Sequence, residues 1–161
     1  MDVWEALRDK RMIRRFADRS LEPNHLARIL DAGRHAGSSK NLQRWDFIAI
    51  EDRDELRRLG ELGRFAGHLA GAAAAVALVT PDPRGPDGPL SITWDLGIAA
   101  QNMMLAAWGL GIGSCPATVY DQDLARSILG YPEDRHCEYL LSFGYPADPS
   151  ELTRPPAAGG R

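Results

Sequence analysis

The chain has 161 residues, 44% hydrophobic and 25% charged, which suits one globular domain with a real core and is too short for two. Its net charge of −3 and pI of about 5.8 exclude nucleic-acid binding through overall charge, so any bound anion must sit on a local patch. Cys115 and Cys137 match no metal spacing and make a poor disulfide framework, which points to a reducing, cytoplasmic setting. Charged and apolar residues alternate at the N-terminus, which excludes a secretory signal.

Val3, Trp4 and Leu7 fall at helical spacing and predict a short amphipathic helix running towards Arg8–Arg11. Ser20-Leu21-Glu22-Pro23 reads as a helix start, with Leu26, Ile29, Leu30 and Gly33 forming one face of a helix that ends near Ala36-Gly37. Trp45–Ile50 is rich in β-formers and predicts a strand. Asp54–Phe65 carries Leu56, Leu59 and Leu62 at helical spacing, and Ala73–Thr80 reads as a buried strand. Pro81–Pro89, with four prolines and two glycines, is an exposed loop. Ser91–Leu110 is a central helix with little polar surface, and its glycines, Gln101 and Asn102 argue against a membrane span. Asp121 caps a helix reaching Leu129, and Glu138–Tyr145 is a last strand. Residues 146–161 form an extended tail of the single domain 1–161. Helices and strands alternate without a βαβ rhythm, so the fold class is α+β.

Three segments have chemical potential. Between Arg8 and Arg19 lie six cations and two acids, with Lys10, Arg11, Arg14 and Arg15 inside a few residues. In a helix, Lys10/Arg14 and Arg11/Arg15 would repel at i,i+4 unless an anion such as phosphate compensated them. The alternative is a solvated basic face paired with Asp9 and Asp18. Gly37–Trp45 is a loop of small and amide side chains, able to match the donor–acceptor edge of a heterocycle or simply to turn the chain. Gly109–Pro116 has the glycines of a dinucleotide fingerprint, but they close a helix instead of opening one, so the segment reads as a helix stop and a loop at the sheet. His25, His35, His68 and His136 are scattered without zinc spacing, and no Gly-x-Ser-x-Gly elbow is present.

Lys10-Arg11-Met12-Ile13-Arg14-Arg15-Phe16, Ser38–Phe47, Asp95–Met104, Gly111–Pro116 and Leu141–Pro146 together resemble, in order, the motifs of FMN-dependent nitroreductases. The resemblance implies a mostly antiparallel sheet surrounded by helices, in a homodimer with FMN at the subunit interface. It implies that Lys10 and Arg11 face the FMN phosphate and that Arg14 lies near the ribityl chain or the N1 side of the ring. It also implies that Ser38, Ser39, Asn41 and Gln43 contact the flavin held largely by the partner subunit. Pro116, Ala117 and Thr118 would run along the ring, with the N–H of Thr118 or Val119 facing N5. Arg161 resembles a late phosphate-binding arginine. The implied activity is ping-pong transfer of reducing equivalents from NAD(P)H to a nitroaromatic, quinone, enone or flavin, with no catalytic side chain because the cofactor carries the chemistry. The alternative is a flavin- or ligand-binding protein of the same fold without turnover. The sequence departs from the pattern at Met12, where many relatives have serine, and at Gly37 and Arg44, where prolines are common; it stops at Arg161, where relatives usually continue with a strand-forming tail, as a minimal member or as a sequence cut short.

Overall fold

The computed structural model describes residues 2–86 and 90–153. Helix α1 (Val3–Asp9) opens with a reciprocal cap: Asp2 Oδ1 accepts from the Glu5 N–H and Glu5 Oε2 from the Asp2 N–H. There follow α2 (His25–Arg34), β1 (Asp46–Ile50), α3 (Arg53–Leu59), β2 (Ala74–Pro81), α4 (Ser91–Gly109), β3 (Gly113–Thr118), α5 (Gln122–Leu129) and β4 (Arg135–Gly144). All strand pairings are antiparallel, in the order β1-β2-β4-β3. The α+β reading is borne out.

Both faces of the sheet are covered, which is why β2 is buried along nearly its whole length. Alternation divides the strands between two cores. Val76 and Leu78 of β2 join Leu141 and Phe143 of β4 under α2 and α4, with Ile29, Leu96 and Met103. On the other face Ala77, Val79 and Leu140 meet Leu56 and Leu59 of α3 and Ala125 of α5. Among the described residues no helix is long and apolar enough to cross a membrane.

Several boundaries differ from expectation. Helix α1 stops at Asp9, so Lys10–Arg15 are not helical and the i,i+4 repulsion does not arise. Helix α2 begins only at His25, after Asn24 turns the chain at φ 69°. Helix α3 ends at Leu59, before turns around Gly60 and Gly63. The described part of the tail holds a 3-10 turn, Pro149–Leu152, where extended chain is expected.

The largest correction concerns Gly109–Pro116, read as a helix stop and a loop, of which Gly113–Pro116 folds into edge strand β3 (Gly113–Thr118). Gly and Pro are poor strand formers, which hid it. An edge strand tolerates Pro116 when its nitrogen faces away from the neighbouring strand. The cap of α5 is as expected, with Asp121 Oδ1 accepting from the Leu124 N–H at 2.9 Å.

Both cysteines are free and fully buried. Burial pushes the Cys137 thiol up to about 12 and raises that of Cys115 as well. Since the thiolate is the reactive form, neither should react with iodoacetamide at mildly alkaline pH in the native protein, and both should in guanidinium. Mass spectrometry checks this; fast native labelling of either would contradict the burial.

Candidate functional site

The segment after α1 lies against the outer edge of β3. Met12 bridges to Ser114 in parallel, and the Ile13 N–H donates to the Ser114 carbonyl at 3.0 Å. Ile13 is fully buried, while Met12 and Arg14 on either side of it are exposed, as extended-chain alternation requires. Lys10 Nζ sits 3.6 Å from the sulfurs of Met12 and of Met104 on α4. Arg14 lies close enough to Cys115 to pull its thiol down against the burial.

Of the two acids near this cluster, Asp9 pairs with Arg8 at 2.7 Å and Asp18 reaches outside it to Arg53 at 2.9 Å. Among the described residues, neither Arg14 nor Arg15 forms an ion pair. The alternative of a basic face paired with Asp9 and Asp18 thus holds for Asp9, through Arg8, and not for Asp18. The Arg14 guanidinium, lacking a carboxylate partner among the described residues and acting on Cys115 of β3, makes this edge attractive to an anion.

Along β3 the backbone decides which groups face that surface. The Val119 N–H donates to the Glu138 carbonyl at 3.0 Å, so it belongs to the β4 ladder and cannot face a ligand. Hydrogen-bonding direction alternates along an antiparallel strand, and the Ser114 carbonyl already points to the outer edge. Thr118 is in phase with Ser114, so its N–H also points outward, beyond the single bridge at Met12. Of the two candidate donors, only Thr118 survives. Pro116 and Thr118 are half-buried, whereas the Ala117 side chain is in the core and leaves only its backbone to contribute.

His68, set aside from sequence, stands at this strand. Its Nδ1 is 2.8 Å from Ser142 Oγ on β4. Burial lowers its pKa first, Arg14 lowers it further, and a hydrogen bond with the Pro116 backbone opposes both. Nothing in the sequence around Gly67-His68-Leu69 marks this role.

The loop after α2 forms a second constellation. Lys40, Asn41 and Gln43 have φ of 53°, 54° and 47°, a left-handed conformation that asparagine tolerates and that costs lysine and glutamine about 1 kcal/mol or more each. Side-chain acceptors stabilise it: Asp95 Oδ2 on α4 accepts from the Ser39 N–H at 2.9 Å, and Ser38 Oγ from the Gln43 N–H at 3.0 Å. The Gln43 amide reaches Asn41 Oδ1 at 3.3 Å. Asp95 is buried, and this use of it was missed. An isolated acid within an apolar helix was the available signal.

The chain brings Lys10 and Arg14 to the Cys115 end of β3, but does not bring the Ser38–Gln43 loop to them. The loop meets α4 at Asp95, and Lys10 meets it at Met104, about 14 Å further along the axis. Arg161 lies outside the described residues.

The family model described as Nitroreductase family matches residues 7–67 and 64–145, nearly all of the strands and helices above. The chain belongs to the nitroreductase family. It is 35% identical over 149 residues, 89% of this chain and 84% of the relative, to an Archaeoglobus fulgidus protein provisionally named NADH dehydrogenase/NAD(P)H nitroreductase. It is 29% identical over 168 residues to the NADPH-flavin oxidoreductase of Vibrio harveyi, covering 92% of this chain and 67% of that one. Among solved structures, the FMN-dependent nitroreductase of Clostridium difficile R20291 superposes with a TM-score of 0.81 at 28% identity, over 91% of this chain and 88% of that one. Nitroreductase membership makes this chain one of an oxidoreductase family.

Proposed function

We propose that this nitroreductase-family protein is a cytoplasmic, homodimeric, FMN-dependent oxidoreductase. It passes reducing equivalents from NAD(P)H to a small oxidised acceptor by a ping-pong mechanism. The observation that carries the reading is Arg14, unpaired with carboxylates among the described residues, whose charge reaches Cys115 of β3, the strand whose Thr118 N–H points outward. The donor set suits an anionic, planar group: guanidinium and ammonium for phosphate, and backbone N–H for a ring heteroatom. Bound FMN supplies the hydride chemistry, and the chain's residues bind and orient it. In this reading Lys10 and Arg11 hold the phosphate, Arg14 places positive charge near the ring, and Thr118 offers its N–H.

A dimer explains the second constellation. The Ser38–Gln43 loop is braced yet remote from the basic edge of its own chain, so it would serve the partner's flavin through Ser38, Ser39, Asn41 and Gln43. Leu90 and Trp94, at the start of α4, are 89% and 75% exposed, and Trp4 on α1 is 69% exposed, an apolar surface that needs covering. Trp94→Glu should weaken the dimer by about 30-fold or more, the effect of one buried aromatic near 2 kcal/mol. Sedimentation velocity across a dilution series checks this; an unchanged dimer would move the interface elsewhere.

Turnover is tested by NAD(P)H oxidation with a generic quinone and added FMN. Many turnovers per flavin support the oxidoreductase; a single bleaching of bound flavin supports a binding protein without turnover.

A further inference from the structure

Lys10 touches two thioethers. Its ammonium donates to Met12 Sδ and to Met104 Sδ, each at 3.6 Å. The two sulfurs differ in access: Met12 is 40% exposed, whereas Met104 is 7% exposed and Met103, its neighbour on α4, is fully buried. Met12 also bridges to Ser114 of β3 and lies, with Arg14, on the exposed side of Ile13. A thioether sulfur is a weak acceptor, so an anionic oxygen can draw the ammonium away from it. A sulfoxide oxygen is a much stronger acceptor, and its formation makes the apolar side chain polar. One accessible sulfur thus touches a cation of the basic edge, beside the strand.

We propose that Met12 is a redox-modification site of this edge: oxidised to its sulfoxide by a hydroperoxide, it captures the Lys10 ammonium and weakens anion binding. The proposal rests on the flavin reading, in which Lys10 faces the FMN phosphate. Hydrogen peroxide is the oxidant. Its O–O bond breaks, one oxygen joins Sδ as S=O, the sulfur gives up two electrons, and the rest of the peroxide leaves as water. The new oxygen stands on the atom that Lys10 already contacts, so a small movement of two flexible side chains brings the N–H to it. Met104 Sδ contacts the same ammonium from within the core and stays a thioether, because burial shields it from peroxide. Access therefore selects Met12, and its contact with Lys10 couples its oxidation state to the charge offered to a ligand.

The test treats the protein with hydrogen peroxide and removes the reagent. FMN affinity is then measured by fluorescence quenching, and the oxidised methionines by peptide mass spectrometry. Met12 sulfoxide should form first, with Met103 and Met104 still reduced. The FMN dissociation constant should rise about tenfold, as expected when a charged hydrogen-bonding partner is lost. Methionine sulfoxide reductase should reverse both changes. Met12→Leu should keep its affinity through the treatment, and Met12→Gln, which sets an amide oxygen near the same place, should be weakened without peroxide. In Lys10→Ala peroxide should add nothing, a readout that separates capture of the ammonium from general damage to the fold. Unchanged affinity in the Met12-oxidised protein, or an equal loss in peroxide-treated Met12→Leu or Lys10→Ala, overturns the inference and leaves the flavin reading intact. A reduced protein that binds no FMN overturns both.

Discussion

Gly113→Ala is expected to destabilise the protein by about 1–3 kcal/mol and to weaken the site with it. A Cβ on Gly113 would lie 2.5 Å from Cβ of Ile13, 2.7 Å from its Cγ1 and 2.8 Å from its Cγ2. The nearest of these atoms is a Cβ, whose position the backbone fixes, so no rotamer change of Ile13 relieves the overlap. The φ of Gly113 is not positive, so space and not backbone conformation demands glycine here. The segment carrying Lys10, Arg11 and Arg14 must shift off β3, straining the Ile13–Ser114 hydrogen bond. Gly109→Ala, where an added Cβ meets nothing within 4 Å, is the control and should change stability by less than about 0.5 kcal/mol. Urea denaturation of the three proteins measures the effect. Equal midpoints for Gly113→Ala and wild type would mean that the N-terminal segment is not held against β3.

Arg14→Ala is expected to weaken FMN binding by about ten- to a hundredfold, the range for losing a charged hydrogen-bonding partner worth roughly 1.5–3 kcal/mol. The size follows from what surrounds Arg14. Among the described residues it has no ion pair to compete with a ligand, and its charge already reaches Cys115 and His68 across the strand edge. Its removal should cost little stability, because it is exposed. Arg14→Lys should recover part of the loss, since charge is kept while the planar fork is not. Isothermal titration with FMN separates the cases, and an unchanged affinity in Arg14→Ala would remove Arg14 from the site.

Much of this organisation is legible in the sequence because it is local or periodic. The apolar run of β2, the apolar turns of α4 and the Asp121 cap each follow from neighbouring residues. What escapes is what only tertiary contact decides. Gly113–Thr118 has the composition of a loop and becomes a strand because β4 supplies a ladder and Pro116 can face outward. Lys10–Arg15 look helical beside α1 but are drawn into extended chain by the buried Ile13 and the Ser114 carbonyl.

The candidate site divides the same way. Clustered cations announce themselves as an excess of charge in an acidic chain, and Arg14 stood out for that reason. Thr118 could be preferred over Val119 only once the β4 register fixed which N–H points outward. His68 gains its place from Ser142, 74 residues away in sequence, a pairing that no local pattern encodes. The Ser38–Gln43 loop showed its polar side chains in sequence, but not the left-handed residues or the Asp95 brace that shape it.

The central claim is that the basic edge of β3 holds FMN in a dimer, and an absorbance spectrum of the purified protein during size-exclusion chromatography tests it most directly. Flavin bands, either as isolated or after adding FMN, are expected to co-elute with the protein at the dimer position. A colourless protein that takes up no FMN while folded and dimeric would contradict it.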